Sequence, residues 1–243
     1  PMTSLLQAVL DRGPLLWLFL ALLVTFLATR FITRRIRAGS TAVGNWSIGG
    51  VHVHHQVFGI VALLVAGCLE FAFRPTQPGS DVLAAIFGAG IALTLDEFAL
   101  WLYLDDVYWS EQGRRSLDAV FIAIVVIGLL LVGVTPGGVT GADLQTPLAI
   151  GVALGVALVL VFIPCAIAAF KGKPVAAIVG IFVWVVAVVS AVRLAKPGSP
   201  WARWRYTPDS AKLARAERRF GAAYLSRWNW LRDLVGGTPT AHP

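Results

Sequence analysis

The sequence predicts an all-α fold, a polytopic transmembrane helical bundle of about six spans with a C-terminal amphipathic helix. Three observations carry this expectation. Hydrophobic residues make up 57% of the 243 positions and charged residues only 14%, against about 45–50% and 25% in soluble domains. Mean hydropathy is +0.76. The apolar residues also fall in runs long enough to cross a bilayer, which takes about 20 residues.

Six runs qualify, over 14–32, 51–73, 82–104, 117–134, 147–170 and 174–194. Pro1, ahead of Met2, is read as a cloning remnant and set aside. The first run resembles a signal peptide, but Arg30, Arg34, Arg35 and Arg37 at its end form a stop-transfer pattern. Pro75, Pro78 and Gly79 predict a tight connection between the second and third spans. Gly137, Gly138 and Gly141 loosen the next long connection. Pro164 is expected to kink the fifth span. Gly151 and Gly155 form a GxxxG pair, read chiefly as close packing inside the bundle, with homo-oligomerisation as the alternative. Lys171-Gly172-Lys173-Pro174 leaves room only for a short turn into the sixth span. The bundle thus covers 14–195 and a basic tail covers 196–243. Glu70 and Arg193 are expected to snorkel from helix ends.

In that tail Thr207-Pro208 reads as a helix N-cap followed by proline. Leu213, Ala216, Phe220, Tyr224, Trp228, Leu231 and Val235 recur at three- and four-residue steps, predicting an amphipathic helix over 208–235. It would dock on anionic lipid or a partner, or pack on the protein's own loops. The net charge of +7 is the excess expected beside anionic headgroups, and it gives no case for nucleic acid. Cys68 and Cys165 lie in apolar runs and read as buried small residues.

A count of six leaves orientation open. Arg34, Arg35, Arg37, Arg114, Arg115, Lys171 and Lys173 share one side, which the positive-inside rule makes cytoplasmic. Six spans then put the basic tail on the other side, against the same rule.

Polar chemistry concentrates in three places: His52, His54 and His55 entering the second span, Asp96 and Glu97 in the third, and Arg114 and Asp118 at the start of the fourth. Alternating spans bring these to one membrane face. A carboxylate inside a bilayer costs about 2.5–3.5 kcal/mol, so such groups need partners and are functional candidates. On one helix His52 and His55 would lie a turn apart, and with Glu97 could ligate a divalent metal. Alternatively His54 or His55 with Glu97 could transfer protons, Asp96 could orient them, and Arg114, oriented by Asp118, could hold an anion. A third reading is a structural polar lock. Asp105, Asp106 and Glu111 read as a solvated loop.

His55 with Phe58-Gly59, then Leu95-Asp96-Glu97, then Arg114-Arg115-Ser116-Leu117-Asp118 resembles the motif order of the VanZ-like family of bacterial membrane proteins. The similarity covers about residues 51–130. Ile122 and Val125 stand where that family has Asn and Gly. The resemblance implies a helical membrane fold and, through the family's name, a link to glycopeptide resistance. As a whole the chain is similar to actinobacterial integral membrane proteins.

The expected function is a multi-pass cell-membrane enzyme acting on a lipid or lipid-linked headgroup. The alternatives are a small transporter or proton-linked channel, and a non-catalytic scaffold with a surface-docking tail.

Overall fold

A computed structural model describes residues 9–39, 47–48, 51–52, 54–103, 108–136 and 146–239. Asp105, Asp106, Gly137, Gly138 and Gly141 lie outside the described residues. Among the described residues the regular structure is helical, apart from a short antiparallel ladder of Ser47–Ile48 with Val51–His52. The chain forms two compact units. One comprises 1–132 with 231–243, the other 133–230.

The first unit contains α1 (Gly13–Arg37), α2 (His55–Phe73), α3 (Gly79–Asp96), α4 (Phe98–Tyr103) and α5 (Arg114–Leu131). Of these, α1, α2 and α3 are each long and apolar enough to cross a membrane. Helix α3 packs against α1, α2 and α5. A side chain at Gly88 would overlap the Leu18 carbonyl, and one at Gly59 would stand 2.9 Å from the Gly90 carbonyl oxygen. Small residues therefore let α3 lie close to both neighbours, as membrane packing requires in the absence of a hydrophobic drive between helices. Leu22, Phe26, Ala92, Leu117, Val120 and Ile127 form the core.

Helices α1 and α5 run antiparallel. Arg12 at the start of α1 donates to the carbonyl of Leu130 at the end of α5. Near the other end of α1, Arg34 donates to the Leu234 carbonyl (3.1 Å) and Arg37 to that of Thr238 (2.8 Å). Gly236 lies on Leu117, near the start of α5.

Three expected boundaries move. Helix α2 starts at His55 rather than Val51, so His52 sits in the short ladder and not one helical turn from His55. The third span stops at Asp96, with Glu97 in a non-helical conformation (φ −110°, ψ 17°) before α4. Helix α5 begins at Arg114, three residues before Leu117. Cys68 is exposed on α2 rather than buried, while Cys165 is buried as expected.

The second unit opens with α6, Pro147–Phe170, the fourth helix among the described residues long and apolar enough to cross a membrane. Thr146 caps it, accepting from Ala149 N at 3.1 Å. A π turn at Leu158–Phe162 precedes Pro164, which lacks the N–H that would continue the ladder. Among the described residues, no atom outside their own helix lies within 4 Å of where a Cβ on Gly151 or Gly155 would stand.

The expected sixth span is folded in two. Helix α7 (Pro174–Phe182) ends at Val183 (φ −116°, ψ 85°), and α8 (Trp184–Val192) returns beside it. A Cβ on Gly180 would stand 2.7 Å from that of Ala187, residues about 10 Å apart along a straight helix. Lys173 Nζ donates to the Ser190 carbonyl at 2.9 Å, and the backbone N–H of Lys196 donates to the Lys171 carbonyl at 2.9 Å. Each arm has nine residues, about 14 Å, half the hydrocarbon thickness of a bilayer. Residues 174–194 therefore make no single crossing.

The tail forms α9 (Pro200–Arg205), α10 (Ala211–Arg219) and α11 (Ala222–Gly236). Ser210, not Thr207, caps α10 by accepting from Leu213 N at 3.2 Å. The periodic stripe is interrupted at Phe220-Gly221, so 208–235 is two helices rather than one.

Candidate functional site

Asp96 and Glu97 occupy the break between α3 and α4. Both are buried, at 0% and 5% exposure. Ser116 of α5 accepts the Ala99 N–H at 2.9 Å, which satisfies one of the donors that the new helix start leaves open. The break turns the two carboxylates toward different partners apart from His55, which contacts both.

Asp96 is held from three sides. Arg30 Nε lies 2.7 Å from Oδ1. Tyr108 donates its hydroxyl to Oδ2 at 2.6 Å, and His55 Nε2 stands 3.2 Å from the same oxygen. The Arg30 guanidinium also covers the Tyr108 ring, 4.9 Å from its centroid. Burial, and then the Asp96 charge, push the Tyr108 phenol well above its ordinary value.

Glu97 takes the other set. His54 Nδ1 lies 3.0 Å from Oε1, and His55 Nδ1 lies 3.4 Å from the same atom. The Gln56 backbone N–H donates to Oε2 at 2.9 Å, so the carboxylate caps the start of α2. Both histidines are part-open, with side chains 31% and 25% exposed. The result is two accessible imidazoles backed by two inaccessible carboxylates.

Of the residues expected to meet, His54, His55, Asp96 and Glu97 do. Arg114 and Asp118 do not join them. Arg114 Nη2 contacts Asp233 Oδ1 at 2.5 Å, and its Nε faces Glu111 at 3.4 Å. Asp118 does not orient Arg114. It accepts two bonds from Arg232, at 2.9 and 2.6 Å. The tail supplies both partners, and its opposite charges outcompete a neighbour four residues along the same helix. Glu111, expected in a solvated loop, is 67% exposed and pairs with Arg114.

Arg30 and Tyr108 were not expected in the site. Arg30 reads as part of a stop-transfer cluster, yet it precedes Arg37 by seven residues, about 10 Å deeper in a membrane helix. That depth is the signal, because a buried cation at the level of a buried carboxylate calls for pairing. Tyr108 gives no such signal.

The expected metal set of His52, His55 and Glu97 lies partly outside the described residues, because His52 sits in the short ladder off the helix and its side chain is not among them. Among the described residues no group of three His, Cys, Asp or Glu is arranged to hold a metal ion.

Compared with known proteins, the chain matches no family model, no curated protein and no solved structure. The four long apolar helices support a membrane protein in contact with lipid.

Proposed function

We propose that this protein is a multi-pass cell-membrane enzyme that acts on a lipid or lipid-linked headgroup by general acid–base chemistry. The observation that carries the reading is the pair of part-open imidazoles, each with a ring nitrogen on a buried carboxylate. Such a carboxylate fixes ring orientation and tautomer, which makes an imidazole an effective proton carrier.

The geometry divides the roles. His55 contacts carboxylates through both nitrogens, so it acts as a positioning residue. His54 contacts Glu97 through Nδ1 and is the more exposed of the two rings, at 31% against 25% for His55. We assign proton transfer to His54, with Glu97 as its orienting partner. Arg114 keeps the anion-holding role. Its Nη1 has no hydrogen-bond partner, and it lines a crevice with Arg30, Tyr108 and Leu117. Asp233 occupies the same guanidinium and would yield to a headgroup phosphate. The likeness to VanZ-like proteins belongs to this proposal and adds no residue roles.

The proposal includes a topology of five crossings and one returning hairpin. Helix α5 carries Arg114, Arg115, Ser116 and Asp118 in its first turns, but its remaining residues are apolar and the helix has 18 positions. With α5 counted and α7–α8 returning to its own side, Arg34–Arg37, Arg114–Arg115, Lys171–Lys173 and the basic tail all face the cytoplasm. This count removes the conflict with the positive-inside rule that six spans create. It puts the histidine site at the cytoplasmic face.

The test is direct. The purified chain is incubated in vesicles containing phosphatidylglycerol, cardiolipin and a polyprenyl phosphate, and the lipids are analysed by mass spectrometry. We expect a headgroup change that falls about a hundred-fold or more in His54→Gln and Glu97→Gln. Lipids left unchanged by the wild-type protein contradict the reading.

A second reading has one observation in its favour. The Arg30–Asp96 pair has side chains only 5% and 0% exposed, as expected of a lock that joins α1 to α3.

A further inference from the structure

Among the described residues, the turn after α6 gathers cations with no paired anion. Lys171 is 7% exposed, and its Nζ donates to the Arg193 carbonyl at 3.0 Å and to that of Ala191. Lys173 donates to the Ser190 carbonyl. The two ammonium groups thereby cap the end of α8, which favours positive charge. The carbonyls neutralise nothing, however. An ammonium has three donors, so Lys171 retains one and Lys173 two.

Three more cations surround them. Arg193, Lys196 and Arg219 each act on Lys173 by like charge, as does Lys171. None of the five has an ion-pair partner among the described residues. Burial first, then these four charges, lower the Lys173 amine to about 8. Burial lowers Lys171 as well. A fold that draws five cations together without an acid leaves a site for an external anion.

Aromatic groups define which anion. Lys171 Nζ lies 5.0 Å from the Trp201 ring centroid, and Lys196 Nζ lies 5.4 Å from that of Tyr224. Trp204 stacks on Phe170, the last residue of α6, with centroids 5.9 Å apart, and is itself 72% exposed. Tryptophan at the end of a membrane helix sits at headgroup level. The cluster therefore stands where lipid phosphates lie.

We propose that Lys171, Lys173, Arg193, Lys196 and Arg219 form a binding site for the phosphate headgroup of an anionic phospholipid. The spare ammonium donors and the two guanidinium groups take the phosphate oxygens, while Trp204 and Phe170 lie along the glycerol and upper acyl region. Basic pockets beside membrane helices hold anionic headgroups by this chemistry. The site is independent of the His–carboxylate reading and would exist in an enzyme, a transporter or a scaffold.

The test uses the full chain in nanodiscs of mixed phosphatidylglycerol and phosphatidylcholine. Lipids retained after gentle release are counted by native mass spectrometry. The wild-type chain is expected to retain phosphatidylglycerol about ten-fold over its share of the mixture. Lys173→Gln with Arg219→Gln is expected to bring this below about two-fold. Lys212→Gln with Arg215→Gln removes the same charge from exposed positions of α10 and is expected to keep the preference. If the first pair does not fold, Lys196→Gln with Arg219→Gln leaves both capping lysines in place and is expected to show the same loss. Three results overturn the proposal: no preference in the wild type, an equal loss in the control pair, or full retention in the site variants. Inorganic phosphate is the fourth arm. If it displaces phosphatidylglycerol at millimolar concentration, the site is a soluble-anion site and the lipid assignment fails.

Discussion

Arg30 and Asp96 meet at 2.7 Å with their side chains 5% and 0% exposed, so each charge depends on the other to stay buried. Removing one partner strands the other in a medium that solvates it poorly. We predict that Asp96→Asn destabilises the protein in detergent by about 3–5 kcal/mol, and that Arg30→Met with Asp96→Leu recovers most of that loss. Thermal unfolding of the three proteins checks this. A double variant no more stable than Asp96→Asn would show that the pair does not act as a unit.

The returning hairpin makes a prediction about sidedness. In a background lacking Cys68 and Cys165, single cysteines replace Thr76, Gln112 and Pro197. With five crossings, Gln112→Cys and Pro197→Cys react with an impermeant maleimide from one face of the membrane, and Thr76→Cys from the other. A sixth crossing would move Pro197→Cys to the face of Thr76→Cys. That pattern would remove both the hairpin and the cytoplasmic assignment of the tail.

Tyr108 gives a pH signature. Burial, and then the Asp96 charge, raise its phenol well above the ordinary value. In the unfolded chain the phenol ionises near pH 10, while the folded protein still holds the proton. Below about pH 10 both states are protonated and the shift contributes nothing. Above it the unfolded state binds fewer protons, so stability falls as pH rises. Tyr108→Phe loses the hydrogen bond to Asp96 and should be less stable at pH 7 by about 1–3 kcal/mol. That gap should narrow at pH 11. Chemical unfolding at both pH values measures it, and a constant gap would contradict the assignment.

Apolar length and polar placement made much of the fold legible. The runs at 14–32, 51–73, 82–104 and 147–170 each contribute to a helix of 18 residues or more because each is a long, mostly apolar stretch, with Pro164 in the last preceded by a π turn. Alternation of spans brought His54, His55, Asp96 and Glu97 together. What stayed hidden depends on contacts. Leu95 to Trp101 has no Gly or Pro, yet the helix breaks at Glu97. There the carboxylate caps α2 and Ser116 takes the Ala99 N–H. Likewise Ile181 to Val189 reads as one continuous apolar run. It folds at Val183 because Gly180 and Ala187 allow two half-helices to touch and because Lys171 and Lys173 cap the returning end. The pairing of Arg114 and Asp118 with Asp233 and Arg232 spans more than a hundred residues. Local spacing carries no trace of it.

The contact between imidazole rings and buried carboxylates is the foundation of the functional reading. Nitrogen-15 NMR of protein labelled at histidine reads it ring by ring, with His54→Gln and His55→Gln assigning the signals. Glu97→Gln should shift the Nδ1 resonances of both His54 and His55, whereas Asp96→Asn should shift Nε2 of His55 and leave His54 nearly unchanged. If neither substitution moves either ring, the carboxylates do not hold the histidines, and the proposed proton-transfer site is wrong.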